Sequence, residues 1–331
     1  MFSGKVYSIF ALLFGLTFFI QYNHQETIGK DFRARFAWRL VLLFAFGMIN
    51  SAFFEGDILS IYAILGFCLI PVAKLNNKIV FWIALILLLQ PFEMAKLILV
   101  LHDPQIQFSQ PSSGIYFAKI GSYVTKNSIL DTMIGNLTNG KTGVLLWSWE
   151  NGRVFQNIAL FMFGMLAGRK QLFVVSTESK RFWIKTLLIA TIAFATLYIL
   201  TQNLGHLIDS RAIRRPTRTM LSSWANLSFM LVLLSGFVLL FRTSYFNRKL
   251  NFLSYLGRMS MSNYIMQSIM GSFIYYGFGL GMYKYTGATY CLLIGIVLAT
   301  IQFLFSFWWM KNHKQGPLET LWHKGTWMNN I

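Results

Sequence analysis

Four polar constellations in an otherwise apolar chain hold the chemistry this sequence could perform. The first lies between Leu256 and Gly281, where Ser260, Asn263, Gln267 and Gly271 recur at the three- and four-residue spacing of one helix face. An amide in hydrocarbon is costly without a partner, so this face must meet other helices or a wet cavity. Gln302 and Ser306 repeat the i,i+4 spacing further on. Such amides ordinarily bridge helices; their chemical use is to donate hydrogen bonds to a developing oxyanion. The second constellation is Arg211, Arg214, Arg215 and Arg218. Guanidinium groups bind phosphate and carboxylate bidentately, which makes this segment a candidate site for an acidic substrate or a lipid headgroup. Pairing with Asp209 is the structural alternative. The third is His206 with Asp209, three apart, which on a continuous helix form a base and its orienting carboxylate. The fourth is Glu55 and Asp57, flanking Gly56 in a tight turn. They either meet solvent or turn one carboxylate into a cavity, where its proton affinity rises.

Other chemistries find no foothold. The chain lacks a His-x-x-x-His pair, a P-loop, a Gly-x-Ser-x-Gly elbow and a GxGxxG turn. Cys68 and Cys291 both lie in apolar runs and show neither disulfide nor metal-ligand spacing.

The elements that must position these residues are membrane helices. Of 331 residues, 55% are hydrophobic and only 12% charged, with a mean hydropathy of +0.53. A soluble domain carries about 25% charged residues. The apolar residues fall in continuous runs of bilayer length rather than alternating ones, which argues for helices and against a β-barrel. The expected fold is all-α: a polytopic membrane bundle of about nine spans. They are predicted over 6–20, 36–54, 58–72, 79–101, 154–168, 182–204, 220–241, 256–281 and 288–310. Four spans fall in an N-terminal part, 1–101. An extracytoplasmic loop follows over 102–152, and five spans in a C-terminal part, 153–331. Pro91 is expected to kink the fourth span, with Glu93 and Lys96 pairing or snorkelling beside it. Gly164 and Gly168 form a small-xxx-small pair suited to close helix packing.

The net charge is +18. The basic residues sit in loops rather than in a stripe with interleaved aromatics, so the expected partners are anionic lipids and not nucleic acid. The larger share of Lys and Arg falls after the first, third, fifth and seventh spans and in the tail. The positive-inside rule therefore predicts a cytoplasmic C-terminus and places Met1 outside.

Several motifs together resemble a known family. Gly257-Arg258-Met259-Ser260-Met261-Ser262-Asn263-Tyr264 is followed by Gln267-Ser268, Tyr276-Gly277, Gly279-Leu280-Gly281, Gln302, Ser306 and Trp309. Gln315-Gly316-Pro317-Leu318-Glu319 and Trp322 complete the set. With Gly56-Asp57-Ile58-Leu59 near the N-terminus, they resemble the domain-of-unknown-function 418 (YeiB-like) membrane family, with its C-terminal motif region at 256–322. That family is more distantly similar to transmembrane acyltransferases. The resemblance implies a multi-pass protein of a bacterial cytoplasmic membrane. It implies transfer of an acyl group from a cytoplasmic thioester donor, such as acyl-CoA, to an envelope glycan or lipid, with no bound cofactor. Asn263 and Gln267 then line the cavity, with His206 as candidate base. Arg258, Arg242 and Lys249 face donor phosphates, and Asp57 with Arg211, Arg214, Arg215 and Arg218 faces the acceptor. The family ordinarily opens with a further span carrying Asp-x-Leu-Arg-Gly, expected upstream of Met1 or missing. A permease for an anionic metabolite and a non-catalytic membrane partner protein are the alternatives.

Overall fold

The computed structural model describes residues 5–327 except 107 and 286. Met1, for which the loop charges predict an outer location, lies outside the described residues. Among these residues all regular structure is helical. In chain order the helices are α1 (Lys5–Thr27), α2 (Arg33–Phe53), α3 (Leu59–Gly66), α4 (Leu69–Val72), α5 (Asn77–Leu88), α6 (Pro91–His102), α7 (Ser113–Ala118), α8 (Ile120–Val124) and α9 (Ile129–Gly135). They continue with α10 (Lys141–Glu150), α11 (Arg153–Arg169), α12 (Thr177–Leu207), α13 (Arg211–Phe241), α14 (Ser244–Leu250), α15 (Ser254–Arg258), α16 (Ser260–Tyr275), α17 (Ala288–Met310) and α18 (Pro317–Trp327).

Among the described residues, α2, α12, α13 and α17 are long and apolar enough to cross a membrane. The pair α5–α6, bent by 51°, makes a fifth if taken as one broken span. The kink expected at Pro91 is thus a full break. Gln90, just before it, adopts φ 59°, the left-handed region that costs a side-chain-bearing residue energy. The stretch expected to span 58–72 is divided between α3 and α4, and 256–281 is interrupted at Met259 between α15 and α16. The 102–152 segment, expected as a loop, coils into short helices joined by a π-helical turn at Asn136–Gly140.

The chain divides into two compact units that interleave along the sequence. The first takes Met1–Phe36, Leu65–Pro111 and Ser148–Asn247; the second takes Ala37–Ile64, Ser112–Trp147 and Arg248–Ile331.

In the first unit α1 and α11 meet backbone to backbone. A methyl group added at Gly164 would lie 1.9 Å from the Leu12 carbonyl oxygen, and one at Gly15 would lie 1.8 Å from that of Phe161. Only glycine permits this approach, as the small-xxx-small spacing anticipated. Phe14 and Phe161 fill the space beside it, with ring centroids 4.7 Å apart. At the α5–α6 break, freed polar groups find side-chain partners. Trp224 donates to the Leu88 carbonyl at 2.8 Å, and buried Gln90 donates to Gly152 O at 2.9 Å and Ser223 Oγ at 3.0 Å. A broken helix persists in an apolar setting only with such replacements. Glu93 and Lys96 do pair, at 2.8 Å, with Glu93 buried. Ser176 caps α12 by accepting from Ser179 N, and Arg242 ties down the same turn through Ser176 O, Val174 O and Ser179 Oγ.

In the second unit α18 docks on α2. Trp38 donates to Gly325 O at 2.9 Å and Trp322 to Arg39 O at 3.1 Å, while the Gly325 backbone lies against Leu42.

Candidate functional site

The second unit holds a buried cluster of ionisable and hydroxyl side chains at the end of α2. The chain leaves α2 at Phe53, turns through Gly56 and enters α3. Asp57 caps α3: its Oδ2 accepts from Ser60 N at 2.9 Å and from Ser60 Oγ at 2.7 Å. Its Oδ1 accepts from Asn50 Nδ2 at 2.9 Å. Gly47 lets this first turn of α3 sit directly on α2, since a methyl there would lie 2.4 Å from Ser60 N. Asp57, Ser60, Ser51 and Asn50 are all completely buried.

Lys141 closes the cluster. It enters at the start of α10, immediately after the π-helical turn. That turn is held to α2 by Asn136, which donates to Ala52 O at 3.1 Å. The extra residue of a π turn re-aims the side chains that follow it, a device often seen at functional sites. Lys141 Nζ donates to Ser51 Oγ at 3.1 Å, to Asp57 O at 3.2 Å and to Ser60 Oγ, and pairs with Asp57 Oδ2 at 3.3 Å. Burial pushes the ammonium down from its ordinary proton affinity, and the adjacent Asp57 carboxylate opposes that shift. Ser60 therefore lies between a carboxylate and an ammonium, hydrogen-bonded to both.

A second carboxylate flanks this cluster. Glu55 accepts from Tyr276 OH at 3.0 Å, and Gly277 N donates to Val124 O at 2.8 Å, so the end of α16 is fastened near α8. Tyr123 is pushed up to about 12 by burial and, secondarily, by the Glu55 charge. Tyr264, on α16, accepts from Ile58 N at 3.2 Å.

Further along α16 lies a neutral network. Asn263 Nδ2 donates to Ser306 Oγ at 3.0 Å and its Oδ1 accepts from the same hydroxyl at 3.2 Å; Gln302 donates to Asn263 O at 2.9 Å. The amide is thereby used as a staple between α16 and α17. Glu319 caps α16: it accepts from Met261 N at 2.7 Å, Ser262 N at 3.0 Å and Ser262 Oγ at 2.5 Å. A carboxylate at a helix N-terminus satisfies orphan N–H groups and meets the positive end of the dipole.

The sequence-derived candidates scatter. Asp57 is buried in the ionic cluster, and Asn263 lies in the neutral network. Gln267 is exposed, and so is Arg258. His206 ends α12, exposed, whereas Asp209 lies beyond that helix, so the continuous helix needed for their pairing does not form. Arg211 to Arg218, expected as a loop, forms the first turns of α13. Arg211, Arg214, Arg215 and Arg218 are placed at i, i+3, i+4 and i+7, along one helical face. Arg215 donates to Ser109 O at 2.8 Å. Arg242 is engaged by the α12 cap. Lys249 lies in α14. Lys141 was missed: it stands 84 residues from Asp57, in a segment with no recognisable motif. Its only signal was a lone cation between Gly140 and Gly143, in a stretch rich in aromatics.

Among the described residues the chain is all-helical, with four helices long and apolar enough to cross a membrane, or five with the broken pair, and with buried ionic and amide networks. Residues 167–329 match the model of the family described as "Protein of unknown function (DUF418)", the family whose motifs the C-terminal region resembles. It is 27% identical to the uncharacterized protein YxaH of Bacillus subtilis (strain 168), over 98% of this chain and 80% of that protein. It is 26% identical to an uncharacterized 39.9 kDa protein in the amylase 3' region of Bacillus acidopullulyticus, over 98% of this chain and 80% of that protein. A 70-residue stretch is 36% identical to the uncharacterized protein YeiB of Escherichia coli (strain K12), over 21% of this chain and 18% of that protein. No solved structure shows significant similarity to the chain.

Proposed function

We propose that this protein is a multi-pass acyltransferase of a bacterial cytoplasmic membrane. It moves an acyl group from a cytoplasmic thioester, of the acyl-CoA type, to a hydroxyl or amine on an envelope glycan or lipid. The C-terminus lies in the cytoplasm. The observation that carries the reading is the Asp57–Ser60–Lys141 arrangement, a carboxylate and an ammonium joined by one hydroxyl in a fully buried setting. Acyl transfer needs a base for the acceptor and a cation or donor for the oxyanion. Asp57 takes the acceptor proton as the acceptor atom bonds to the thioester carbonyl carbon. Lys141 stabilises the oxygen anion so formed. The carbon–sulfur bond then breaks and the proton passes from Asp57 to the leaving thiolate. The cluster is closed in this structure and falls on the side that the loop charges predict to be extracytoplasmic, so the thioester arm of the cytoplasmic donor must extend across the membrane to reach it on opening. The test is transfer of labelled acetyl groups from acetyl-CoA to envelope material in membrane vesicles. Asp57→Asn and Lys141→Met should abolish it, and Ser60→Ala should lower it at least tenfold. Wild-type labelling no greater than in vesicles lacking the protein overturns the reading.

A second reading rests on a different observation, the α5–α6 break at Gln90. Discontinuous helices at buried polar sites suit a permease for an anionic metabolite. Uptake into proteoliposomes, lost in Gln90→Leu while acetyl labelling is absent, would favour it.

A further inference from the structure

Arg39 is buried, 8% exposed, yet among the described residues no carboxylate lies within ion-pairing distance of it. We propose that Arg39 and Trp322 form a binding site for a phosphate group, as carried by an anionic lipid headgroup or a free phosphate compound. The proposal is independent of the acyl-transfer reading.

The geometry is built rather than incidental. Trp322 covers one face of the guanidinium, with its charged carbon 4.1 Å from the ring centroid. The same indole donates to Arg39 O at 3.1 Å, so one side chain fixes both the arginine backbone and its head. Trp38 holds α18 in place through Gly325 O. Stacking on an indole offsets only part of the cost of desolvating a charge. It leaves the rim of the guanidinium plane, with its N–H fork, unused. No nitrogen of Arg39 is among the fully enclosed unpartnered atoms, so solvent still reaches that rim. Lys141, buried to the same degree in the same unit, has Asp57. The acid on α18, Glu319, is committed to the N-terminus of α16.

Phosphate fits better than another anion for two reasons. Its oxygens match the guanidinium fork bidentately. Arg39 lies six residues past Arg33, about 9 Å along a membrane-length helix, and is flanked by Trp38 and Trp322. Tryptophan clusters of this kind mark the headgroup depth of a bilayer, where phosphates lie.

The test compares wild type with Arg39→Met and Arg39→Lys, purified in neutral detergent and in nanodiscs. Thermal unfolding is read in phosphatidylcholine nanodiscs with and without phosphatidylglycerol, and in detergent with and without pyrophosphate. Wild type should gain several degrees from at least one probe. A gain confined to phosphatidylglycerol assigns a lipid, and a gain with pyrophosphate assigns a free phosphate compound. Arg39→Met should lose the gain, and Arg39→Lys should bind the active probe at least tenfold more weakly, because an ammonium lacks the fork. Should Arg39→Met not fold, the Arg39→Lys affinity decides. No gain in wild type with either probe, or an undiminished affinity in Arg39→Lys, overturns the proposal.

Discussion

Two cations in the second unit are buried to a similar degree and are treated in opposite ways. Lys141 has a carboxylate, two serine hydroxyls and a carbonyl around its ammonium. Arg39 has an indole face and, among the described residues, no carboxylate within ion-pairing distance. The difference follows from the groups themselves. An ammonium is a compact, strongly hydrated charge and needs its water replaced donor by donor. A guanidinium is planar and weakly hydrated, so it can be half-covered by an aromatic ring and wait for a ligand at its rim. A complete cluster is thus a fixed part of the fold, or a reaction centre that must open. An incomplete one is a place where something from outside completes the charge balance.

Mutations can break or sharpen that contrast. The largest effect is expected at Asp57. Asp57→Asn leaves the Lys141 ammonium buried without its counter-ion and should cost about 3–5 kcal/mol. Adding Lys141→Met to it should restore a good part of that loss in detergent unfolding, because the uncompensated charge is removed. If the double variant is no better than the single one, the pair is not the unit that matters.

Next comes Glu319, a charge that is partnered by backbone rather than by a cation. Glu319→Ala should cost about 1–3 kcal/mol, the range for a lost charge-assisted cap. The loss should appear as faster amide exchange in the first turn of α16. Unchanged exchange there would separate the cap from the stability of that helix.

Arg39→Met is expected to shift stability by less than about 1 kcal/mol in neutral detergent, because removing the unpaired charge offsets the lost stacking. A loss as large as that at Asp57 would erase the distinction between the two cations.

The smallest effect is expected at an exposed pair, Asp31 with Arg33 at 2.7 Å. The Arg33 hydrogen bond holds the Asp31 carboxyl well below its ordinary range. Its contribution is therefore present at neutral pH and lost as the pH falls through and below the ordinary carboxylate value. Asp31→Asn should flatten that acid-side slope slightly and lower stability at pH 7 by the same small amount, since exposed pairs contribute little. An acid-side profile identical to wild type would show that the pair persists in the unfolded chain.

Several features were legible in the residues alone. Continuous apolar runs of bilayer length pointed to helices, and among the described residues all regular structure is helical. The Gly164 spacing marked a close helix contact, and Pro91 marked the interruption between α5 and α6. Asn263, Gln302 and Ser306 stood at spacings that ordinarily bridge helices, and they do bridge α16 and α17, whereas Gln267, expected beside Asn263, is exposed. Glu55 and Asp57 marked a carboxylate pair at an apolar edge, with solvent and a cavity both open to them. These are local signals: periodicity, a missing donor, a missing side chain.

What only the tertiary structure decided was which charges meet. Lys141 reaches Asp57 across 84 residues, by way of a π turn that no propensity announces. His206 and Asp209 stand three apart in number, but α12 ends between them. Arg39 gains its indole partner only because α18 places Trp322 over it, while Glu319 on the same helix is turned to α16. Spacing along a chain sets which side chains share a helix face. The partner of a buried charge is chosen by whatever the packing of distant helices brings within about 3 Å, and that distance is not written in the order of the residues.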